Sequence, residues 1–173
     1  MAEDIRLEGS SVEMDESVFG GRRRGQGGQG RVTKTGGNKS IVVGAVERKG
    51  RVVALVANDA TRETLHGIAQ EKILPATTVY TDDYTPYHGL AAKGYQHSRI
   101  NRSAGIYVMG DIHTQTIEGF RSLVKRGIGG VYHSVSRKYL QSYLSEYAFR
   151  CNRRNVDRPM FVSLLEKVAD RVN

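Results

Sequence analysis

The sequence predicts an α/β fold in which a mixed sheet is flanked by helices. Its first half holds three segments of strand length, of which the second and third are apolar runs rich in Val and Ile, and together they suggest a meander. Strand and helix patterns then alternate, and the C-terminal part shows only helical periodicity. Three strands followed by alternating α and β segments favour one sheet covered by helices. At 173 residues, the chain is expected to form one domain.

The leading strands are predicted at Val12–Phe19, Lys39–Glu47 and Arg51–Ala57. The short turn Arg48-Lys49-Gly50 joins the last two as a hairpin. Residues 1–11 are predicted to be an N-terminal tail. Residues 20–37 alternate Gly with basic and polar side chains, and we expect a flexible basic loop inside a domain spanning residues 12–155.

The alternating part starts with a helix capped within Asn58–Thr61, whose apolar stripe contains Leu65, Ile68 and Ala69. A buried strand follows at Thr77–Thr81, then a helix at Tyr84–Lys93 and a strand at Gln96–Asn101.

Helical periodicity dominates the remainder of the chain. We predict helices over Thr114–Ile128 and Ser136–Arg150, and a C-terminal helix within residues 156–173 that opens at Pro159. One side of that last helix is expected to carry Phe161, Leu164, Leu165, Val168 and Val172.

The composition favours an anionic partner. The formal net charge is +8 and the pI is about 9.7, and nucleic acid is the usual partner of such a protein. Cys151 is the only cysteine, so an intrachain disulfide and a zinc site built on paired CxxC motifs are excluded. The apolar runs are too short to span a bilayer, so we expect no membrane association and a cytoplasmic location.

Three acidic residues are candidates for a metal site. Asp15 lies in the first strand, Asp82 ends a later strand, and Glu118 lies on a helix. Singly they are ordinary: a solvent-facing strand residue, a turn residue for which Asp83 competes, and a surface helix residue. Seven residues after Glu118, Lys125 shares its helix face, where it could hold a phosphate. Carboxylates are preferred ligands of Mg²⁺ and Mn²⁺.

Basic residues form three groups that we predict to contact DNA phosphates rather than to be merely solvated. The first group contains Arg22, Arg23, Arg24, Arg31, Lys34 and Lys39. The second is Lys125 with Arg126, and the third contains Arg150, Arg153 and Arg154.

Three segments resemble a known family. Residues 110–154, GDIHTQTIEGFRSLVKRGIGGVYHSVSRKYLQSYLSEYAFRCNRR, are similar to the catalytic C-terminal half of bacterial insertion-sequence DDE transposases related to the Merlin group. MDESVFGG at 14–21 and VYTDDYTPY at 79–87 resemble the two aspartate motifs of that family, in the same order. The resemblance extends from about residue 12 to 155.

The resemblance implies a ribonuclease-H-like fold that binds two Mg²⁺ or Mn²⁺ ions. It also implies nicking of transposon DNA ends, followed by attack of the freed 3′-hydroxyl on target DNA. Asp15, Asp82 and Glu118 match the metal-binding triad, and Lys125 matches the basic residue that follows the glutamate of that triad. Such enzymes act as dimers or larger complexes on paired ends, so the resemblance implies a homodimer associated with the bacterial nucleoid.

Other matched positions have less defined roles. His113, Asn152 and Arg153 fall inside matching motifs and are expected to contact DNA or to support the structure. Arg121 stands where an aromatic residue, usually Trp, is expected. Only 14 residues precede Asp15, so we expect a catalytic domain or a shortened copy without the end-reading region of such transposases.

Two alternatives to this function remain open. One is a non-catalytic, DNA-binding remnant of a transposase, although all three acidic residues and Lys125 are intact. The other is a structure-specific nuclease of the same fold, which would cut DNA and never join it.

Overall fold

The computed structural model describes residues 5–20, 34, 39–48, 50–100, 115–130, 132 and 135–169. These residues form one five-stranded mixed sheet and four α-helices. The predicted α/β class is therefore confirmed.

The sheet has the strand order β3-β2-β1-β4-β5. Its strands are β1 (Ser11–Phe19), β2 (Ser40–Glu47), β3 (Val52–Ala57), β4 (Thr78–Asp82) and β5 (Gln96–Ile100). The first three form the expected antiparallel meander, whereas β4 pairs in parallel with both β1 and β5. The strand β1 is consequently the junction between the antiparallel and parallel parts.

The helices are α1 (Arg62–Lys72), α2 (Gln115–Gly130), α3 (Arg137–Asn152) and α4 (Met160–Ala169). The first three cover the two faces of the sheet, with α1 on one side and α2 and α3 on the other. Every residue of β2 is buried, which explains why this strand reads as a nearly continuous apolar run.

Each face has its own hydrophobic cluster. On one face, Val12 and Met14 of β1 belong to a cluster with Leu65 and Ala69 of α1. On the other face, the cluster includes Val42 and Val46 of β2, Ala54 of β3, Ile117 and Val124 of α2, and Leu144 of α3. Alternating side chains of the central strands thus supply two opposed cores.

The helix predicted over Tyr84–Lys93 is wrong. Two short 3₁₀-helices, Thr85–Tyr87 and Leu90–Lys93, replace it. Between them Gly89 has φ = 95°, a left-handed conformation that interrupts a right-handed helix. Pro86 also restricts Thr85, because an α conformation is disfavoured in the residue before proline.

Two segments near the ends of the chain, residues 5–10 and α4, differ in how much of their apolar surface is buried. In the segment expected to be a tail, Leu7 is fully buried and forms a parallel bridge with Ile73. At the other end, α4 forms close to where Pro159 predicts it, and its large apolar residues are exposed. The exposed residues are Met160, Phe161, Val162, Leu164, Leu165 and Val168.

In the part of the chain that the structure describes, no helix combines the length and the apolar character that crossing a bilayer requires.

Candidate active site

Two predicted acidic residues come together at one end of the sheet. Parallel pairing of β1 with β4 runs from Ser11 opposite Thr78 to Glu13 opposite Tyr80. Asp15 and Asp82 lie two residues farther along these same strands, at the carboxyl end of β4. The carboxyl ends of parallel strands are where α/β folds commonly place functional groups.

A third carboxyl group, from Glu16, joins them. Asp15, Glu16 and Asp82 each offer an oxygen atom, and these atoms all lie within 4.8 Å of one another. We call these three residues the strand carboxylates. Asp15 and Glu16 are buried, whereas Asp82 is partly exposed. Glu16 is not among the residues that the sequence predicts for the site, although the adjacent pair of acidic residues is a visible signal.

The turn after β4 orients Asp82. Its Oδ1 accepts a hydrogen bond from the backbone N–H of Tyr84 at 3.1 Å. The neighbouring Asp83 points elsewhere, since its Oδ1 lies 3.1 Å from Nη1 of Arg99 on β5. Asp82, not Asp83, therefore belongs to the strand carboxylates.

The same turn brings a buried hydroxyl to Glu16. Tyr87 is fully buried, and its hydroxyl donates to Glu16 Oε2 at 2.8 Å. Burial is the main cause that raises the pKa of Tyr87 well above its usual value, and the nearby Glu16, Asp15 and Asp82 raise it further. The hydroxyl therefore stays protonated and remains a donor at neutral pH.

Helix α2 packs against β1 because β1 holds its first turn. Glu13 is fully buried, and its Oε2 accepts from the backbone N–H groups of Thr116 and Ile117, each at 3.0 Å. Its other oxygen, Oε1, accepts from Arg48 at 3.3 Å. A carboxyl group at a helix N-terminus satisfies N–H groups that have no partner inside the helix and interacts favourably with the helix dipole.

The side chain of Ile117 on α2 packs directly over Gly44 of β2. A Cβ added to Gly44 would lie 2.7 Å from Cδ1 of Ile117, so a larger residue there would require the end of this side chain to move.

This packing places Arg121 of α2 against the strand carboxylates. Nη1 of Arg121 lies 3.0 Å from Oδ2 of Asp15. Glu118 is partly exposed in the first turn of α2 and is not a member of the carboxylate group found among the described residues. Arg121, which stands where an aromatic residue is expected, thus forms an ion pair with the predicted metal ligand Asp15.

Lys125 lies one turn beyond Arg121 on α2. Its ammonium nitrogen is 5.4 Å from the centre of the Phe19 ring, at the end of β1. Desolvation and the nearby Arg121 lower the pKa of Lys125, while Asp15 acts in the opposite direction. These influences place Lys125 near both Arg121 and Asp15, although its side chain is exposed.

Only part of the predicted DNA-binding set can be located. The side chains of Lys34, Lys39, Arg126, Arg150 and Arg154 are exposed. Arg150 forms an ion pair with Glu146 at 2.6 Å. Other predicted contacts lie outside the described residues, namely Arg22, Arg23, Arg24, Arg31 and His113.

Near the end of α3, two matched positions have structural contacts. The side-chain amide of Asn152 accepts from the backbone N–H of Val52 at 2.7 Å and donates to its carbonyl at 3.0 Å. These two hydrogen bonds tie the end of α3 to the edge strand β3. The Arg153 guanidinium stacks 4.1 Å from the Phe149 ring centre, and Arg154 donates to Cys151 Sγ at 3.1 Å.

The strand carboxylates suit a hard divalent cation. Their donors are all carboxylate oxygens, which Mg²⁺ and Mn²⁺ prefer, and they are close enough to share one ion. Three carboxyl groups held this close, two of them buried, repel one another when ionised, so a bound cation would stabilise them.

Relatives of known sequence connect the chain to transposable elements. It is 28% identical over 130 residues to a protein in transposable element ISH50 of Halobacterium salinarum, covering 75% of this chain and 44% of that protein. It is 27% identical over 120 residues to a transposase-like protein of Haemophilus influenzae, covering 69% of this chain and 94% of that protein. The chain thus spans less than half the length of the first relative.

A solved structure shares the fold. The chain is similar to the catalytic core domain of BIV integrase with a TM-score of 0.53, 14% sequence identity, and coverage of 95% of this chain and 99% of that one. The predicted ribonuclease-H-like fold is therefore confirmed. In addition, residues 6–152 match the model of the ISXO2-like transposase domain, so the chain belongs to that transposase family.

Proposed function

We propose that this chain is the catalytic domain of a DNA transposase of the Merlin-related, bacterial insertion-sequence group. It would nick DNA at transposon ends and join the freed 3′-hydroxyl to target DNA. The observation that carries the proposal is the convergence of Asp15 and Asp82, from neighbouring parallel strands, into a group whose oxygen atoms lie within 4.8 Å of one another.

Asp15 and Asp82 are the proposed ligands of Mg²⁺ or Mn²⁺. Two such ions, when bound, activate the attacking oxygen and stabilise the leaving oxygen of an in-line phosphoryl displacement. Glu118 is proposed as a further ligand because it lies one turn before Arg121 on α2, the helix that contacts Asp15. The partial exposure of Glu118 leaves it room to turn towards DNA and the strand ends.

Both proposed reactions exchange one phosphorus–oxygen bond for another. In nicking, a water oxygen bonds to phosphorus, the P–O3′ bond breaks, and the leaving oxygen takes a proton to become a 3′-hydroxyl. In strand transfer, that hydroxyl loses its proton and bonds to a target phosphorus, while the target's own 3′-oxygen leaves and is protonated. Neither step needs a covalent link between enzyme and DNA.

The basic residues support DNA as the partner. Lys125 is exposed beside the strand carboxylates, where it would neutralise the phosphate that is cut, and Arg126 follows it on the same helix. With a net charge of +8, the chain can neutralise several phosphates, and each one contributes about −0.9 to the slope of log affinity against log salt. We further propose a homodimer acting on paired ends in the cytoplasm, at the nucleoid.

The substitution Asp82→Asn tests the proposal. It keeps the shape of the side chain and its bond to the Tyr84 N–H, and it removes one anionic ligand. We expect Mn²⁺-dependent nicking of a transposon-end duplex to fall by at least about 10³-fold, with the affinity for that duplex unchanged within roughly threefold.

The matched control is Asp83→Asn, which makes the same change one residue away in a side chain that contacts Arg99. It should nick like the parent chain. Parent-like nicking by Asp82→Asn would overturn the assignment. A strand-transfer assay with a pre-cut end tests the joining step separately, and a chain that nicks without joining would contradict the transposase proposal.

A further inference from the structure

The strand carboxylates contain one member, Glu16, that the proposed triad does not include. By strand alternation, Glu16 should point away from Asp15, towards the face covered by α1. Its carboxyl group nevertheless lies with those of Asp15 and Asp82, and it is buried. A neighbouring group must therefore orient the buried carboxyl group of Glu16 towards those of Asp15 and Asp82.

Tyr87 is the group that does so. Its hydroxyl donates to one oxygen of Glu16 at 2.8 Å, and its ring is packed in the same core as Met14 and Leu65. The ring of Tyr84 meets it edge-on, with the ring centres 6.2 Å apart and an interplanar angle of 77°. A fully buried aromatic ring with such neighbours has little freedom, so its hydroxyl is a fixed donor.

One turn of the chain sets both Asp82 and Glu16. Asp82 Oδ1 accepts the Tyr84 N–H, and the 3₁₀-helix that begins directly after Tyr84 ends at Tyr87. The turn that orients one strand carboxylate through the backbone thereby orients a second one through a side chain. This coupling gives the short segment after β4 a role in shaping the acidic group.

We propose that Glu16 is a ligand of the divalent cation and that Tyr87 is a positioning residue acting through Glu16. The inference rests on the proposed function, since it concerns the same cation site. Carboxylates that ligate a metal are commonly hydrogen-bonded by such outer partners, which set their orientation, and Tyr87 would act on Glu16 in this way. Loss of such a partner typically costs about 10- to 100-fold in metal affinity.

The test is Mn²⁺ binding to the full 173-residue chain without DNA, measured by titration calorimetry. Tyr87→Phe removes the hydroxyl and keeps the ring, and we expect its Mn²⁺ affinity to fall by about 10- to 100-fold. Glu16→Gln should lose at least as much. The double variant should bind no more weakly than Glu16→Gln alone, because a positioning residue has no effect once its target is removed.

Tyr95→Phe is the matched control. Tyr95 is another buried tyrosine of the same core, and its hydroxyl donates to the Ile73 carbonyl at 3.2 Å. Removing it deletes a buried hydroxyl without touching a carboxylate, so its Mn²⁺ affinity should equal that of the parent. Equal losses in the Tyr87 and Tyr95 variants would show a general packing effect and overturn the role of Tyr87.

A further variant leaves Tyr87 intact in case its replacement prevents folding. Glu16→Asp keeps the negative charge and withdraws the carboxyl group from the Tyr87 hydroxyl by one methylene. We expect roughly a tenfold loss of Mn²⁺ affinity, and parent-like affinity would overturn the inference.

The outcome for Asp82→Asn separates the two proposals. If it loses Mn²⁺ binding while the Glu16 and Tyr87 variants bind like the parent, the inference fails and the proposed function stands. If Asp82→Asn itself binds Mn²⁺ like the parent, the proposed cation site fails.

Discussion

Asp15, Glu16 and Asp82 are carried by two strands of one sheet, whereas Glu118 is carried by a helix that packs across that sheet. The strand residues converge, since backbone pairing of β1 with β2 and β4 fixes their positions. The helix residue is positioned by side-chain contacts of α2, and among the described residues it stays outside the carboxylate group. The comparison teaches that the sheet, together with the turn after β4, builds its share of the site without α2, while the share of α2 depends on how that helix packs.

The substitution Glu118→Gln is the strongest test of this difference between the strand carboxylates and the carboxylate of α2. If the strand carboxylates hold the first cation alone, Mn²⁺ affinity should stay within about threefold of the parent, as expected for a ligand outside that group. Nicking should nonetheless fall by about 10³-fold, because a second ligand set is then incomplete. Calorimetry and a nicking assay on the same preparation measure the two effects.

Glu146→Gln provides the control, since it removes the same charge from α3, where Glu146 pairs with Arg150. It should change neither quantity. Loss of Mn²⁺ binding in Glu118→Gln would contradict the division between strand and helix.

The substitution Glu13→Gln should weaken the attachment of α2 to β1. It weakens the buried acceptor of the Thr116 and Ile117 N–H groups and removes the ion pair with Arg48. We expect the free energy of unfolding to fall by about 2–3 kcal/mol, as for a charged hydrogen-bonding group lost from a buried site. Urea denaturation measures it, and hydrogen exchange should show faster opening of the first turn of α2.

Glu8→Gln is the comparison variant, because the Glu8 side chain is 64% exposed and its contact with Arg51 is long, at 3.8 Å. Its stability should change by less than about 0.5 kcal/mol. A Glu13 variant as stable as the Glu8 variant would show that α2 does not depend on this cap.

The smallest expected effect comes from Arg121→Gln. The arginine is 31% exposed and pairs with Asp15, so it competes with a cation for that carboxylate. Its removal should tighten Mn²⁺ binding about five- to tenfold, equivalent to roughly 1 kcal/mol for a partly screened ion pair. Arg126→Gln removes the same charge from an exposed position of the same helix and should have little effect. Unchanged affinity in Arg121→Gln would exclude the competition.

Much of the fold follows from local patterns in the sequence. The apolar runs of β2 and β3, the alternation in β1 and the periodicity of α2 and α3 all predict elements within a few residues of their observed bounds. The helix predicted around Gly89 does not form, because Gly89 has a left-handed backbone conformation that the local composition does not reveal. Two 3₁₀-helices form instead.

The site is only partly visible in the sequence. Asp15 and Asp82 are predictable because each lies in a recognisable aspartate motif, and Asp82 also because it ends a strand. Glu16 is not, since alternation assigns it to the other face and its hydrogen bond comes from Tyr87, 71 residues away. The Arg121 contact likewise depends on the rotation of α2 about its axis, which Glu13 helps to fix through a contact across 103 residues. Such long-range contacts leave no trace in local periodicity.

The different roles of neighbouring residues in β1 restrict how the length of this strand can vary. Glu13 anchors a helix, and Asp15 and Glu16 point into the carboxylate group, all within one nine-residue strand. Adding or deleting a single residue between them would turn the residues that follow to the opposite face, so the helix anchor and the acidic group could not both keep their positions. Among transposases of this kind, we expect chain length to be invariant between the positions equivalent to 13 and 16.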